Sequence, residues 1–177
     1  PFETNANAVI AGDEKLILFR YFFTRKLMFI SQAEAVALFP GGFGTMDEAY
    51  EALTLVQTGK SSPMPIVMLE GQGGDYWSSW DQWVHSQLLK RGWVSPEDPN
   101  IYYIAKNPQD AARHLIRFYR NYHSSRYVRD QLVIRVRRAF RPEDVQRLES
   151  EFKVLIKTGG MTQHMGPVEG EDGFPEL

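Results

Sequence analysis

The sequence predicts an α/β protein in which a parallel sheet is flanked by helices. Three observations carry this. Short apolar runs at residues 34–39, 65–69 and 101–105 read as buried strands. Each is followed by a stretch with helical spacing, which is the strand-helix alternation of a parallel sheet. Glycine or proline punctuates the junctions, as at Pro40, Gly59, Gly92 and Pro108.

Taken in order, residues 15–21 read as a short strand running into a helix over 22–32, and 34–39 as a buried strand. A helix over 45–58 is closed by Gly59, a strand follows at 65–69, and 71–74 is a glycine-rich loop. The spacing predicts an aromatic amphipathic helix over 76–90 ended by Gly92. After it come a strand at 101–105 and a helix over 108–122 with Pro108 in its first turn. From about Ser124 the pattern changes. Residues 132–136 have strand character, and 142–157 have helical spacing through Val145, Leu148, Phe152 and Leu155. The expected organisation is a domain at 1–123, a basic appendage at 124–160 and an acidic Gly/Pro-rich tail at 161–177, loosely held. No internal repeat is evident.

With 177 residues, 43% of them hydrophobic, the chain can bury one sizeable core plus an appendage. No cysteine is present, which excludes disulfides and thiolate metal sites and fits a reducing, cytoplasmic setting. The apolar stretch 16–30 is interrupted by Arg20, Arg25 and Lys26, so it reads as neither a membrane span nor a signal sequence. The first residue is Pro1 rather than Met, which suggests a fragment, a processed product or an incomplete chain. The net charge of −2 conceals an uneven distribution: residues 113–157 hold twelve Lys/Arg against five Asp/Glu. Because Arg113, Arg117 and Arg120 are spaced like one side of a helix, a solvated or subunit-contact face is favoured over nucleic acid.

The segment Pro40-Gly41-Gly42-Phe43-Gly44-Thr45-Met46-Asp47-Glu48 joins the strand at 34–39 to the next helix. A glycine-rich turn feeding a helix N-terminus collects backbone N–H groups in front of the positive end of the helix dipole, which is a seat for phosphate. Gly41, Gly42 and Gly44 allow positive φ and close approach of an anion, while Thr45 can cap the helix or donate to a phosphate oxygen. Glu48 is expected in the first turn of that helix, and Glu51 shares its face. A plain Thr-x-x-Glu capping box is the other reading of the same residues. The turn is not a Walker loop, since no Lys follows its last glycine, nor does it have the dinucleotide spacing. The four histidines show no metal-ligand spacing, and Trp77, Trp80, Trp83 and Trp93 are spaced for packing rather than for stacking on a base. Asp47 is expected to point away from the site.

Residue for residue, this turn resembles the PGGxGTxxE signature of the Lonely Guy (LOG) family, whose members were often labelled lysine decarboxylases in error. Upstream, Phe23-Thr24-Arg25-Lys26-Leu27-Met28 looks like the family's Arg-Lys-x-x-Met segment, which carries a functional arginine. The resemblance runs from about Phe19 to Asn121. It implies a Rossmann-like fold, a homodimer with the site near the interface, and hydrolysis of the N-glycosidic bond of nucleoside 5′-monophosphates. It also implies an earlier glycine-rich segment and strand that this sequence does not include, so the 1–123 domain reads as partial.

Breaking that bond builds positive charge on the ribose and negative charge on the departing base, so a carboxylate near the sugar and a cation near the base or phosphate lower the barrier. On this reading Glu48 and Arg25 act in catalysis, with Glu51 as a possible assistant. Gly41, Gly42, Gly44 and Thr45 hold the 5′-phosphate, with Lys26 as a weaker candidate. No metal or cofactor is expected, and no lysine stands out as a pyridoxal-phosphate Schiff base. Two alternatives belong to other classes: a nucleotide or molybdenum-cofactor carrier using the same seat without turnover, and a DNA-binding module built on the basic appendage.

Overall fold

The computed structural model describes residues 8–169. The chain divides into two compact units, Pro1–Glu34 and Ala35–Leu177.

In the first unit the described residues form turns and one helix, α1 (Phe22–Ser31). The strand expected at 15–21 is absent. Asp13 is the reason: its carboxylate accepts the N–H of Lys15 at 2.8 Å and its carbonyl accepts that of Leu16 at 3.0 Å. The first two donors of the span are consumed locally, and Ile17 and Leu18 are exposed. Helix α1 follows the expected span within a residue and ends at Gln32.

The second unit is built on a three-stranded parallel sheet in the order β1 (Val36–Leu38), β2 (Ile66–Met68), β3 (Tyr102–Ile104). The register pairs Val36 with Ile66 and Ile66 with Tyr102. Helix α2 (Phe43–Gln57) connects β1 to β2, and α3 (Tyr76–Trp83) lies in the connection from β2 to β3. Parallel neighbours require such crossovers. This is the expected α/β, Rossmann-like arrangement. Central β2 is buried along its whole length, so all three of its residues are apolar. Val67 and Leu69 pack with Ala105 and Ala111, flanked by Tyr103 and Leu115.

Local chemistry sets the helix ends. Gly59, at φ 65°, closes α2 as expected, with its N–H donating to Val56 O and that of Lys60 to Leu55 O. The helix read at 76–90 is α only through Trp83 and then widens into a π-turn at Val84–Leu89 before Gly92, at φ 71°. Trp77 and Trp80 are buried as packing residues, whereas Trp83 and Trp93 are largely exposed. A 3₁₀ turn (Asp98–Ile101) leads into β3. Helix α4 (Pro108–Tyr119) opens with Asn107 Oδ1 accepting the Asp110 N–H at 2.8 Å, and it stops three residues short of the expected end.

Beyond it lies an unanticipated strand. β4 (Tyr122–Val128) pairs antiparallel with β5 (Gln131–Val136) across Arg129, whose φ is 52°. Helix α5 (Pro142–Glu151) and a 3₁₀ turn (Lys153–Leu155) replace the single helix expected over 142–157. The tail read at 161–177 lies outside the described residues from 170 onward.

Candidate functional site

Strand β1 delivers the chain to Phe39, and Pro40, Gly41 and Gly42 turn it into α2. Helix α2 begins at Phe43, two residues earlier than the Thr-x-x-Glu spacing indicated. Gly42 is the N-cap, in extended geometry at φ −90° and ψ −153°. Thr45 is therefore not the cap, and no side chain caps this end. Glu48 lies in the second turn rather than the first, so the Thr45–Glu48 capping box does not form.

The glycines also work differently from expectation. None of Gly41, Gly42 and Gly44 is among the residues with positive φ. What they supply is space. A Cβ on Gly41 would collide with Thr45 Oγ1 and lie 3.0 Å from Thr45 Cβ, whereas one on Gly42 or Gly44 would meet nothing within 4 Å. A side chain at Gly41 would thus force Thr45 or the backbone to move, and Gly42 and Gly44 leave a bare backbone face at the start of a fifteen-residue helix. The N–H groups of Gly42, Phe43, Gly44 and Thr45 precede the first intrahelical acceptor, which the Met46 N–H finds in Gly42 O at 3.2 Å. Four donors with the helix dipole behind them can ligate an anion.

Glu48 is half-buried on the same helix, and its Oε2 is buried without a hydrogen-bond partner among the described residues. A buried acceptor without a donor costs roughly 1–3 kcal/mol, a cost that a sugar hydroxyl or a water can relieve. Glu51 follows one turn later, also half-buried, and Asp47 is exposed. Gly41, Gly42, Gly44, Thr45, Glu48 and Glu51 are thus brought together on one turn and helix. Arg25 and Lys26 belong to the first unit, on α1. Arg25 is exposed, with its guanidinium 4.9 Å from the Phe22 ring; Lys26 is buried, with its ammonium 5.9 Å from the same ring. Counted from Arg25, the methionine of the Arg-Lys-x-x-Met pattern falls on Phe29, with Met28 one position early.

Two residues beyond the motif escaped the sequence reading. The Tyr76 hydroxyl, at the first position of α3, donates to Gly41 O at 2.6 Å. Glu70, just past β2, accepts the Trp77 N–H at 3.3 Å through Oε2. Trp77 in turn donates Nε1–H to Leu69 O at 3.1 Å. The only forewarning was positional: in a parallel sheet the segments leaving the carboxyl ends of adjacent strands meet at one edge. Further along the second unit, the Tyr102 hydroxyl donates to Asp81, and burial together with that carboxylate pushes its pKa well above the ordinary tyrosine range. His114 stacks on Tyr103 at 4.1 Å, and burial lowers its pKa. Among the described residues, no group of three His, Asp or Glu side chains could hold a metal ion, and no helix is long and apolar enough to cross a membrane.

A family model described as "Possible lysine decarboxylase" matches residues 3–115, more than half of the chain. The chain belongs to the LOG family. The cytokinin riboside 5′-monophosphate phosphoribohydrolase of Mycobacterium tuberculosis (strain ATCC 25618 / H37Rv) is 32% identical over 103 residues, which cover 56% of this chain and 51% of that relative. The chain therefore spans about half the length of the curated relative it matches. Both LOG-like segments, at 23–28 and 40–48, fall inside the matched range, as do Glu70 and Tyr76; β4, β5 and α5 fall outside it.

Proposed function

We propose that this LOG-family protein hydrolyses the N-glycosidic bond of a nucleoside 5′-monophosphate to free base and ribose 5-phosphate. The observation that carries the proposal is the pairing, on one helix, of an uncapped glycine-lined N-terminus with the half-buried carboxylate of Glu48 one turn further in. The name of the mycobacterial relative supports the same chemistry. The phosphate takes the backbone N–H groups of Gly42, Phe43, Gly44 and Thr45. This fixes the ribose relative to α2. As the C1′–N bond breaks, the ribose gains oxocarbenium character, and the Glu48 carboxylate stabilises it or orients the water that adds to C1′. Glu51 assists from the next turn. The departing base carries the bonding electron pair and takes up the proton that the water loses on adding to C1′. Arg25 is assigned to the base or phosphate on its place in the family segment, with Lys26 beside it in sequence. The protein acts as a homodimer, a reading favoured by the exposed Phe22, Phe23, Leu27 and Phe29 on α1, and in the cytoplasm, which the cysteine-free sequence suits.

The test is chromatography of AMP, CMP, GMP and UMP after incubation with the full chain, scoring free base and ribose 5-phosphate. Release of base from at least one is expected. Tight binding with no release from any would replace the hydrolase by the carrier reading.

A further inference from the structure

We infer that Tyr76 is a positioning residue for the phosphate seat: its hydroxyl latches the Gly41 carbonyl and so aims the Gly42 N–H at the ligand. The inference rests on the proposed nucleotide reading and adds a residue outside the glycine motif to it.

The geometry begins with the peptide plane. In a trans peptide the C=O of one residue and the N–H of the next point in opposite directions, so holding one fixes the other. The bond from Tyr76 Oη to Gly41 O is short, at 2.6 Å, and links residues thirty-five positions apart in sequence. Gly41 and Gly42 need such a tether more than most residues, because glycine leaves the backbone freer than any other residue type. The turn has few other supports. Gly42 O accepts the Met46 N–H at 3.2 Å, but no side chain caps α2. Without the tyrosine the Gly41 carbonyl would lose this tether, and neither glycine has a side chain that limits rotation of the peptide between them.

Tyr76 is itself held from behind. Its ring meets the fully buried Trp77 edge-on at 4.8 Å. Trp77 is anchored by Leu69 O at 3.1 Å and by Glu70 Oε2 at 3.3 Å. Gly74 suits this arrangement, because a Cβ there would press at 3.0 Å on that same Glu70 oxygen and at 3.1 Å on Gly71 O. The latch thus runs from the end of β2, through the start of α3, to the end of β1. A seat that is rigid before the phosphate arrives binds it without an ordering cost.

Tyr76→Phe keeps the ring and its contact with Trp77 and removes only the hydroxyl. In the full chain, ¹⁵N relaxation should show lower order parameters at Gly41 and Gly42, with the sheet unchanged. Calorimetry should show AMP bound about tenfold more weakly while adenosine binding is unaffected, and KM for the nucleotide should rise with little change in kcat. Unchanged order parameters at Gly41 and Gly42 would overturn the latch whatever the protein binds. Equal AMP affinity in wild type and variant would overturn it as well. Absence of base release by the wild type, with Tyr76→Phe still loosening the turn and weakening AMP, would leave the latch standing and remove only the hydrolase.

Discussion

Thr45 Oγ1 occupies the space that a side chain on Gly41 would need. The two residues are four apart and pack against each other where the turn enters α2. The three motif glycines are therefore not equivalent, and they separate by mutation. Gly41→Ala should lower the melting temperature of the unliganded protein, because Thr45 or the backbone must move. Gly42→Ala should lower it less, because the added methyl meets nothing and only the preference for glycine over alanine at an N-cap is lost. Gly42→Ala should nonetheless weaken nucleotide binding, because the added methyl stands on the face an anion must approach. Thermal melts with and without AMP measure both effects, and equal destabilisation by the two variants would contradict the structure of the turn.

A phosphate seat discriminates by charge. AMP should raise the melting temperature of the full chain substantially more than adenosine at the same concentration, because only the nucleotide reaches the N-terminus of α2. Equal shifts would mean that the helix end contributes nothing.

Glu48→Gln preserves shape and removes the charge. Release of base should fall on the order of a hundredfold or more, while nucleotide affinity changes little, as expected for a group that acts chiefly in the transition state. Wild-type turnover in this variant would reduce Glu48 to a helix residue. Arg25→Ala should lower both binding and turnover, and an unaltered AMP affinity would remove Arg25 from the site.

Trp77 is fully buried and satisfies the Leu69 carbonyl. Trp77→Ala should cost about 3–5 kcal/mol through the cavity it leaves. Trp77→Phe should cost about 1–3 kcal/mol, mostly by orphaning Leu69 O. Urea midpoints give both values, and a cost near zero for the second would show that water replaces the indole N–H.

His114 is held below its ordinary pKa of 6.5, first by burial and then by the Arg117 charge, with Asp110 opposing. The folded chain thus resists protonating it. The stabilisation is fully present above about pH 6.5 and is lost as pH falls through the lower folded value. His114→Phe, which retains the stack on Tyr103, should flatten the decline in urea midpoint between pH 7 and pH 5. A slope equal to that of the wild type would assign the dependence to another group.

Much of the sheet was legible because parallel core strands advertise themselves as apolar runs and glycine closes helices by a local rule, as Gly59 and Gly92 do. The errors came where a local signal had two meanings. Thr45 and Glu48 imitate a capping box, yet the helix starts at Phe43 with Gly42 as its N-cap, despite the low helix propensity of Gly44. Residues 15–21 are apolar enough for a strand, but Asp13 takes the donors of Lys15 and Leu16 into a turn. β4 went unread because His123, Ser124, Ser125 and Arg126 carry no strong strand signal and its Arg129-Asp130 turn lacks glycine. Tyr76 could not be found from its neighbours, because its partner lies thirty-five residues away.

The β4–β5 hairpin and the parallel sheet also differ in when they can form. Tyr127 meets Leu132 across a separation of five residues, whereas Val36 must find Ile66 thirty residues on and Ile66 must find Tyr102 thirty-six further. Hairpins close in about 1–10 μs, while long-range parallel pairing must first offset loop-closure entropy. On a ribosome the order is reversed, since β1, β2 and β3 emerge before the hairpin exists. The slow half of the structure therefore has a head start, and the fast half completes as soon as Val136 is clear of the exit tunnel.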